Sequence, residues 1–145
     1  MIDPQASAPV ASTEVLLFRT FVTDDLKRPK CGAEQCMLGA RVQIDVKPDR
    51  EGMVAPGTGG MSVTPNSPAG LPPHLRPISL GGQTSLPVFW ISSTRLGGLL
   101  AFQPALKHPD RHGFVEPAMA MKLDAYQDAL CDTKPAWAEW SKEVA

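Results

Sequence analysis

The sequence lacks the features that mark several large classes of protein. Its 14 lysines and arginines are balanced by 15 aspartates and glutamates, which gives a formal net charge of −1. Because a basic excess is missing, general binding to nucleic acids is not expected. The chain has no apolar run of membrane-spanning length and no charged-then-apolar leader. We therefore expect neither membrane insertion nor a cleaved signal peptide.

Cysteine is scarce, and its number argues against a disulfide framework. The chain has only three cysteines, Cys31, Cys36 and Cys131. Three is an odd number and too few to stabilise a small secreted fold by cross-links. The cysteine content therefore predicts free thiols in a reducing compartment, and we expect a cytoplasmic protein.

Proline is the most over-represented residue type, with 15 in a chain of 145 residues that is 43% hydrophobic. This length and apolar content predict a single domain with a real core, residues 14–145, after a flexible tail, residues 1–13. Because proline interrupts helices, we expect few and short helices. Residues 65–82 hold five prolines and predict a long loop of the kind that is either a functional lid or disordered.

Short apolar or alternating segments predict an α+β domain with mostly antiparallel strands. Residues 14–22 are apolar almost throughout, which predicts a central strand covered on both faces. Apolar residues at 123, 126 and 130 form a helical stripe and predict one helix. Further strands are predicted at residues 41–46, 61–64, 87–92 and 112–116, and residues 96–103 are predicted to form a turn followed by a strand.

The C-terminal residues are predicted to form a second, short helix. Pro135 is suited to the first turn of a helix. A helix from this point places Trp137, Trp140 and Val144 on one face. We expect the two tryptophans to cover the core.

Two polar features interrupt the predicted strands. Arg19 lies inside the apolar first strand, where its desolvation is costly unless it snorkels to the sheet edge, pairs with an internal acid or meets an anionic ligand. The glycine-rich stretch 54–64 places Gly59 and Gly60 just before Ser62. Glycine permits positive φ and close approach of the backbone to a ligand, so this stretch predicts either a polar site or a plain turn between strands.

Histidine supplies a third polar feature. His112 and Glu116 face the same side of a predicted strand. His108 and His112, with Cys31 and Cys36, also make a set of four zinc-type ligands. The loose cysteine spacing, the distance between the two pairs along the chain and the proline after His108 argue against that set. We predict no metal site.

The order of these features resembles a known family. An arginine in the first strand is followed by Gly-Gly-x-Ser and then by His-x3-Glu-Pro-Ala, with Met121 and Leu123 after it. The chain is similar in this to the ADP-ribosyltransferase-like toxins of bacterial type VI secretion systems and their uncharacterised relatives. The matching stretches are residues 17–20, 52–63, 96–102 and 112–118.

The resemblance implies two small β-sheets around a cleft that holds NAD. It implies an antibacterial toxin that transfers ADP-ribose from NAD to an unknown macromolecular acceptor, or hydrolyses NAD. An immunity protein is the expected partner. Delivery into the cytoplasm of a target cell without a cleaved signal peptide is also expected.

The resemblance also implies roles for individual residues. Arg19, with Thr20 beside it, would hold the phosphate or the nicotinamide-side ribose of NAD, because a guanidinium meets phosphate with a planar fork. Gly59 and Gly60 would let backbone donors approach the same ligand. Ser62 would hydrogen-bond the ribose or the third site residue and fix the geometry.

The identity of that third residue stays open. A carboxylate beside the ribose carbon favours the positive charge that develops when the bond to nicotinamide breaks, and Glu116 is the candidate. The resembled toxins often keep a histidine instead, which makes His112 the second candidate. We expect the catalytic residues to be Arg19, Ser62 and one or both of these.

Two other interpretations remain. In one, the transferase-like scaffold has lost catalysis and acts as a protein-interaction module, in which the proline-rich loop 65–87 binds a partner in an extended form. In the other, the chain is a plain α+β domain whose arginine and histidine are satisfied structurally.

Overall fold

The computed structural model describes residues 14–141. The expected tail at residues 1–13, and the placement of Val144, lie outside the described residues. Within them the chain is an α+β domain with a six-stranded and a two-stranded antiparallel sheet. The strands are β1 (Leu16–Thr20), β2 (Met53–Val54), β3 (Met61–Pro65), β4 (Val88–Ser92), β5 (Leu100–Pro104), β6 (Gly113–Pro117), β7 (Met121–Lys122) and β8 (Ala138–Glu139).

The large sheet has the order β5-β6-β3-β1-β4-β8. The prediction of a central first strand is confirmed, because β1 lies between β3 and β4 and both Leu17 and Phe18 are buried. Strand β3 joins two halves of this sheet. Its last residues, Thr64 and Pro65, pair with β1, whereas Met61 to Val63 pair with β6. The two halves therefore share only one strand. The small sheet pairs β2 with β7.

Helix α1 (Leu123–Asp132) confirms the predicted helical stripe and covers one face of the large sheet. Tyr126 and Leu130 are fully buried in the main core. The Tyr126 hydroxyl accepts a hydrogen bond from the Met61 amide at 3.0 Å and donates one to the Val115 carbonyl. One side chain thus holds the helix to β3 and β6 together, and this burial raises the pKa of the tyrosine.

The opposite face of β1 and β4 is covered by the proline-rich segment. Leu71 packs there against Phe18 and Val88 in a second, smaller apolar cluster. The segment has no strand or α-helix, as predicted, but it is ordered by three short 3₁₀ turns, Pro68–Gly70, Pro73–Leu75 and Ile78–Leu80.

The strand predicted at residues 41–46 is wrong. These residues form a turn in which the Asp45 carboxylate accepts hydrogen bonds from the Arg41 amide and from the Arg41 guanidinium. Gln43 has a φ of 70° inside this turn. Local hydrogen bonds from an aspartate side chain compete with strand pairing, and the alternating pattern could not reveal them.

The helix predicted from Pro135 is also wrong. Only a 3₁₀ turn forms, Lys134–Ala136, and the chain then extends as β8 beside β4. Trp137 packs into the main core and donates from its indole to the Thr133 hydroxyl at 2.9 Å. Trp140 packs instead against the second cluster. Since the two tryptophans reach opposite faces of the sheet, they cannot share one helix face.

The prediction of three reduced thiols is wrong for two of them. Cys31 and Cys131 form a disulfide with a Cα–Cα distance of 5.5 Å, and Cys36 is free. The two residues are 100 positions apart in sequence, so no spacing rule could pair them. The cysteine argument for a cytoplasmic location no longer holds, and the location stays a prediction. No helix within residues 14–141 is long and apolar enough to cross a membrane.

Candidate functional site

The two halves of the large sheet separate next to Arg19. Strands β1 and β3 pair at Leu17 with Pro65 and at Phe18 with Thr64, and no further pairing follows. The Arg19 guanidinium fills the gap. Its Nη1 donates to the Ser62 carbonyl at 2.7 Å, and its Nη2 donates to the Met37 carbonyl at 2.9 Å. The arginine that interrupts the apolar strand thus replaces ladder hydrogen bonds with side-chain ones.

A cavity of about 610 Å³ opens at this gap. Its walls are the ends of β1 and β3, residues 69–76 of the proline-rich segment, and residues 108, 111 and 112 of the connection between β5 and β6. The proline-rich segment is fixed as a wall because the Thr20 hydroxyl donates to the Leu75 carbonyl at 2.5 Å. A cavity of this size is in the range of small-molecule sites.

The charged groups that line this cavity are all basic. All three histidines of the chain and four of its seven arginines are present, and none of the described aspartates or glutamates is among the lining residues. The basic lining residues are Arg19, Arg41, His74, Arg76, His108, Arg111 and His112. A concave surface of one charge sign concentrates ligands of the opposite sign, so the cavity attracts anionic ligands.

Arg41 and Arg19 differ in how their charges are balanced. The Arg41 guanidinium is paired with the Asp45 carboxylate at 3.1 Å. Arg19 has no carboxylate partner among the described residues, and its Nε is buried with no hydrogen-bond partner there. Loss of solvation lowers the pKa of Arg19 to about 10, so it still holds its positive charge at neutral pH. Arg19 is therefore a fixed, partly unsatisfied cation at the base of the cavity.

His112 lies on the opposite wall of the cavity, directly before β6. Burial lowers its pKa, and the neighbouring His108 lowers it further, so the ring is neutral at neutral pH. It contacts the Phe114 ring edge-on, with 4.9 Å between ring centres. The free thiol of Cys36 also lines the cavity, and burial raises its pKa. The thiol is therefore protonated at neutral pH.

Four of the residues predicted to form the site lie together on this cavity. They are Arg19, Thr20, Ser62 and His112. Arg19 and Thr20 come from β1, Ser62 from β3, and His112 from the residue before β6. Residues far apart in sequence thus meet because β1, β3 and β6 are neighbours in the sheet.

Gly59, Gly60 and Glu116 do not line the cavity. Gly59 has a φ of 103°, and a side chain there would collide with the Asp45 backbone. A side chain at Gly60 would collide with the Val115 carbonyl. Both glycines therefore allow close backbone packing, which is a different use of glycine from the predicted approach to a ligand.

Glu116 is buried beside the same glycine-rich loop. Its carboxylate accepts a long hydrogen bond from the Gly57 amide at 3.3 Å. Glu116 follows His112 by four residues along an extended strand, which separates their Cα atoms by about 13 Å. Glu116 is also not among the residues that line the cavity, so of the two candidates only His112 lies with Arg19 and Ser62 there.

Sequence reasoning missed Arg41, His74, Arg76 and Arg111. They lie in loops and turns, where no periodicity marks them. The single usable signal was that His74 and Arg76 lie within a proline-rich segment that has no acidic residue. The sequence pattern marks His108 only as a possible zinc ligand, and the four-ligand zinc set is not assembled because Cys31 is bonded to Cys131.

Comparisons of this chain with protein-family models, with curated proteins and with solved structures find no match.

Proposed function

We propose that this protein is an ADP-ribosyltransferase-like enzyme that binds NAD in the basic cavity. It transfers ADP-ribose to a macromolecule or hydrolyses NAD, and it acts as an antibacterial toxin restrained by an immunity protein. The observation that carries the proposal is Arg19, a half-buried cation whose buried Nε has no hydrogen-bond partner and which has no carboxylate partner among the described residues, placed where two halves of the sheet separate.

The cavity fits a dinucleotide in charge and size. The pyrophosphate of NAD is an anion that an arginine binds with charge-assisted hydrogen bonds. A volume of about 610 Å³ accommodates a ligand of that size class. The separation of β1 from β3 supports the transferase-like arrangement, in which a cofactor lies between two groups of strands.

The proposed roles follow from what lines the cavity. When bound, NAD supplies the ADP-ribosyl group as its bond to nicotinamide breaks. Arg19 holds the pyrophosphate and thereby fixes the position of the adjoining ribose. His112, neutral near pH 7, accepts the proton from the attacking water or acceptor hydroxyl. Ser62 offers a hydroxyl to the ribose from the floor of the cavity.

The test is an assay of purified protein with labelled NAD and bacterial lysate. Label on macromolecules and released nicotinamide are measured for the native chain, Arg19→Ala, Arg19→Lys and Arg95→Ala. Arg95 is exposed and does not line the cavity, so it is the matched control. We expect signal from the native chain and from Arg95→Ala, about 100-fold less from Arg19→Ala, and partial recovery in Arg19→Lys. Absence of NAD binding, labelling and nicotinamide release in the native chain would refute the proposal.

The toxin part of the proposal needs a separate test in cells. Growth of bacteria is followed while the native chain or a variant is expressed inside them. We expect arrest with the native chain and with Arg95→Ala, and normal growth with Arg19→Ala at equal protein level. Equal arrest by Arg19→Ala would separate toxicity from the cavity and overturn this part.

The second candidate function is an interaction module without catalysis. The observation in its favour is that Ile78 and Leu86 of the proline-rich loop expose 64% and 37% of their surface. A double substitution of both residues by serine should then abolish the effect on bacterial growth while NAD cleavage is absent. Retained growth arrest in this variant would exclude the loop as the docking surface.

A further inference from the structure

The cavity holds a second group of basic side chains, away from Arg19, which we call the outer cluster. It consists of His74, Arg76, His108 and Arg111. Two loops supply it: the segment around the turn Pro73–Leu75, and the connection between β5 and β6. His74, His108 and Arg111 are exposed, and Arg76 is half-buried. The outer cluster therefore lies where a ligand enters.

The two arginines of the outer cluster have no acidic partner among residues 14–141. The ion pairs within residues 14–141 join Arg41 to Asp45 and Lys134 to Asp24. Arg76 donates from Nε to the Leu71 carbonyl at 3.0 Å, which leaves its two terminal nitrogens for a ligand. The guanidinium of Arg111 has no hydrogen bond or ion pair with a described residue.

Backbone hydrogen bonds hold the two loops that carry the outer cluster. Arg76 donates its amide to the Pro73 carbonyl and accepts from the Thr84 amide at 3.1 Å. The amides of Arg111 and His112 both donate to the His108 carbonyl at 3.0 Å, with His108 at a φ of 56°. The loops touch where the Arg111 side chain lies against Gly70. The basic groups are thus held facing one space.

The positive charge of the cavity is larger than the negative charge that the pyrophosphate of NAD brings. Of the four lining arginines, Arg41 is neutralised by Asp45, whereas Arg19, Arg76 and Arg111 have no ion pair with any residue that the structure describes. The pyrophosphate of NAD brings a single negative charge on each phosphate, and its nicotinamide ring is positive. Arg19 with one outer arginine balances the pyrophosphate, so positive charge remains even with all three histidines neutral.

We propose that the outer cluster is a second phosphate subsite, which takes a phosphate group that NAD does not carry. The proposal rests on the proposed function only in assigning the pyrophosphate to Arg19. Two ligands supply such a phosphate: the 2′-phosphate of NADP, and a phosphate of a nucleic-acid acceptor. A terminal phosphate suits Arg76 and Arg111 because each presents free guanidinium donors.

The experiment measures binding of four probes to the full chain by calorimetry: inorganic phosphate, NAD, NADP and a short 5′-phosphorylated single-stranded RNA. Each is measured with the native chain, Arg76→Ala, Arg111→Ala, Arg19→Ala and the control Arg95→Ala. Thermal unfolding is recorded for every variant, so that loss of folding is not mistaken for loss of binding.

We expect NADP or the RNA to bind more tightly than NAD, and the advantage to fall about tenfold in Arg76→Ala or Arg111→Ala while NAD affinity changes less. If the RNA is the ligand, the slope of log affinity against log salt falls by about 0.7 for each arginine removed. Tighter binding of NADP than of NAD would identify the ligand of the outer cluster as a cofactor phosphate. Tighter binding of the RNA would identify it as an acceptor phosphate.

The inference is overturned if neither NADP nor RNA binds more tightly than NAD, or if Arg76→Ala and Arg111→Ala behave like Arg95→Ala. It is distinguishable from failure of the proposed function. Phosphate or RNA binding that depends on Arg111, in a chain that shows no NAD binding, would support the subsite and refute the NAD enzyme.

Discussion

The two ends of strands β3 and β6 have opposite surroundings. From the middle of the pairing at Ser62 to the end at His112, the two strands face a basic cavity, and the Arg19 guanidinium lies between β1 and β3 beside Ser62. At the other end Gly60 and Glu116 are enclosed by backbone, so closely that a side chain at Gly60 would collide with the Val115 carbonyl. Residues that belong to one sequence pattern therefore divide into a ligand-facing group and a packing group.

The glycine-rich stretch and the histidine stretch therefore each contain residues that pack the fold and residues that line the cavity. The packed end keeps β3 against β6 and the helix, and so fixes the position of the open end. Substitutions at the packed end should lower the stability of the fold. Substitutions at the open end should weaken ligand binding and leave the stability largely unchanged.

The largest effect on stability is expected from the disulfide. It joins residues 100 positions apart, and a cross-link over such a loop stabilises a fold by about 4 kcal/mol. Cys131→Ser, or reduction of the native chain, should lower the free energy of unfolding by this amount in a denaturant titration. Cys36→Ser is the control and should respond to reductant as the native chain does. If reductant leaves the stability of the native chain unchanged, the cross-link does not stabilise the fold.

Gly60→Ala should destabilise the packed end by about 3 kcal/mol, because the added methyl group collides with the backbone of β6. Gly98→Ala is the matched control, since nothing lies within 4 Å of a side chain there, and it should be neutral or slightly stabilising. Urea unfolding curves of both variants measure the difference. Equal stability of the two variants would show that β3 and β6 are not packed as closely as described.

Substitutions of His112 and Glu116 should lower turnover in the NAD assay to very different extents. His112→Ala should lower turnover about 100-fold, as expected for loss of a general base, with little change in stability because the side chain is exposed. Glu116→Gln keeps an oxygen that can accept the Gly57 amide and should lower turnover less than about threefold. The reverse order of effects would move catalysis to the carboxylate.

The smallest effect is the pH dependence of ligand binding. The pKa of His112 in the free protein lies below its usual value of 6.5, because burial and His108 disfavour its charge. An anionic ligand favours the charged ring, so pyrophosphate should bind a few-fold more tightly as the pH falls from about 7 to about 5.5, with uptake of protons. Calorimetry in buffers of different ionisation enthalpy measures that uptake.

His112→Gln should weaken this pH dependence. For the ligand-free protein the effect of pH has the opposite sign, since a lower pH reduces the stability of the fold. A lowered pKa in the fold means that the stability contributed by neutral His112 is present above pH 6.5 and is lost as the pH falls through the folded-state pKa. Binding that is independent of pH in the native chain would exclude contact between His112 and the ligand.

The sequence alone determined the central strand, the helix at residues 123–132 and the absence of strand and α-helix in the proline-rich segment. These follow from local properties: apolar β-branched runs, a helical stripe and the missing amide of proline. It also identified Arg19 as unusual, since a charge inside an apolar strand needs a partner wherever that strand packs. That Arg19, Thr20, Ser62 and His112 line one cavity was anticipated only through the resemblance to a family.

The remaining features depend on tertiary contacts that the sequence pattern does not show. The pairing of Cys31 with Cys131, the opposite faces reached by Trp137 and Trp140, and the convergence of loop arginines on one cavity all join residues distant in sequence. The tertiary structure also gave Gly60 its packing role, through contact with a strand more than fifty residues later. Such contacts depend on which strands become neighbours, and this choice is made by the burial of the whole core, which no local pattern records.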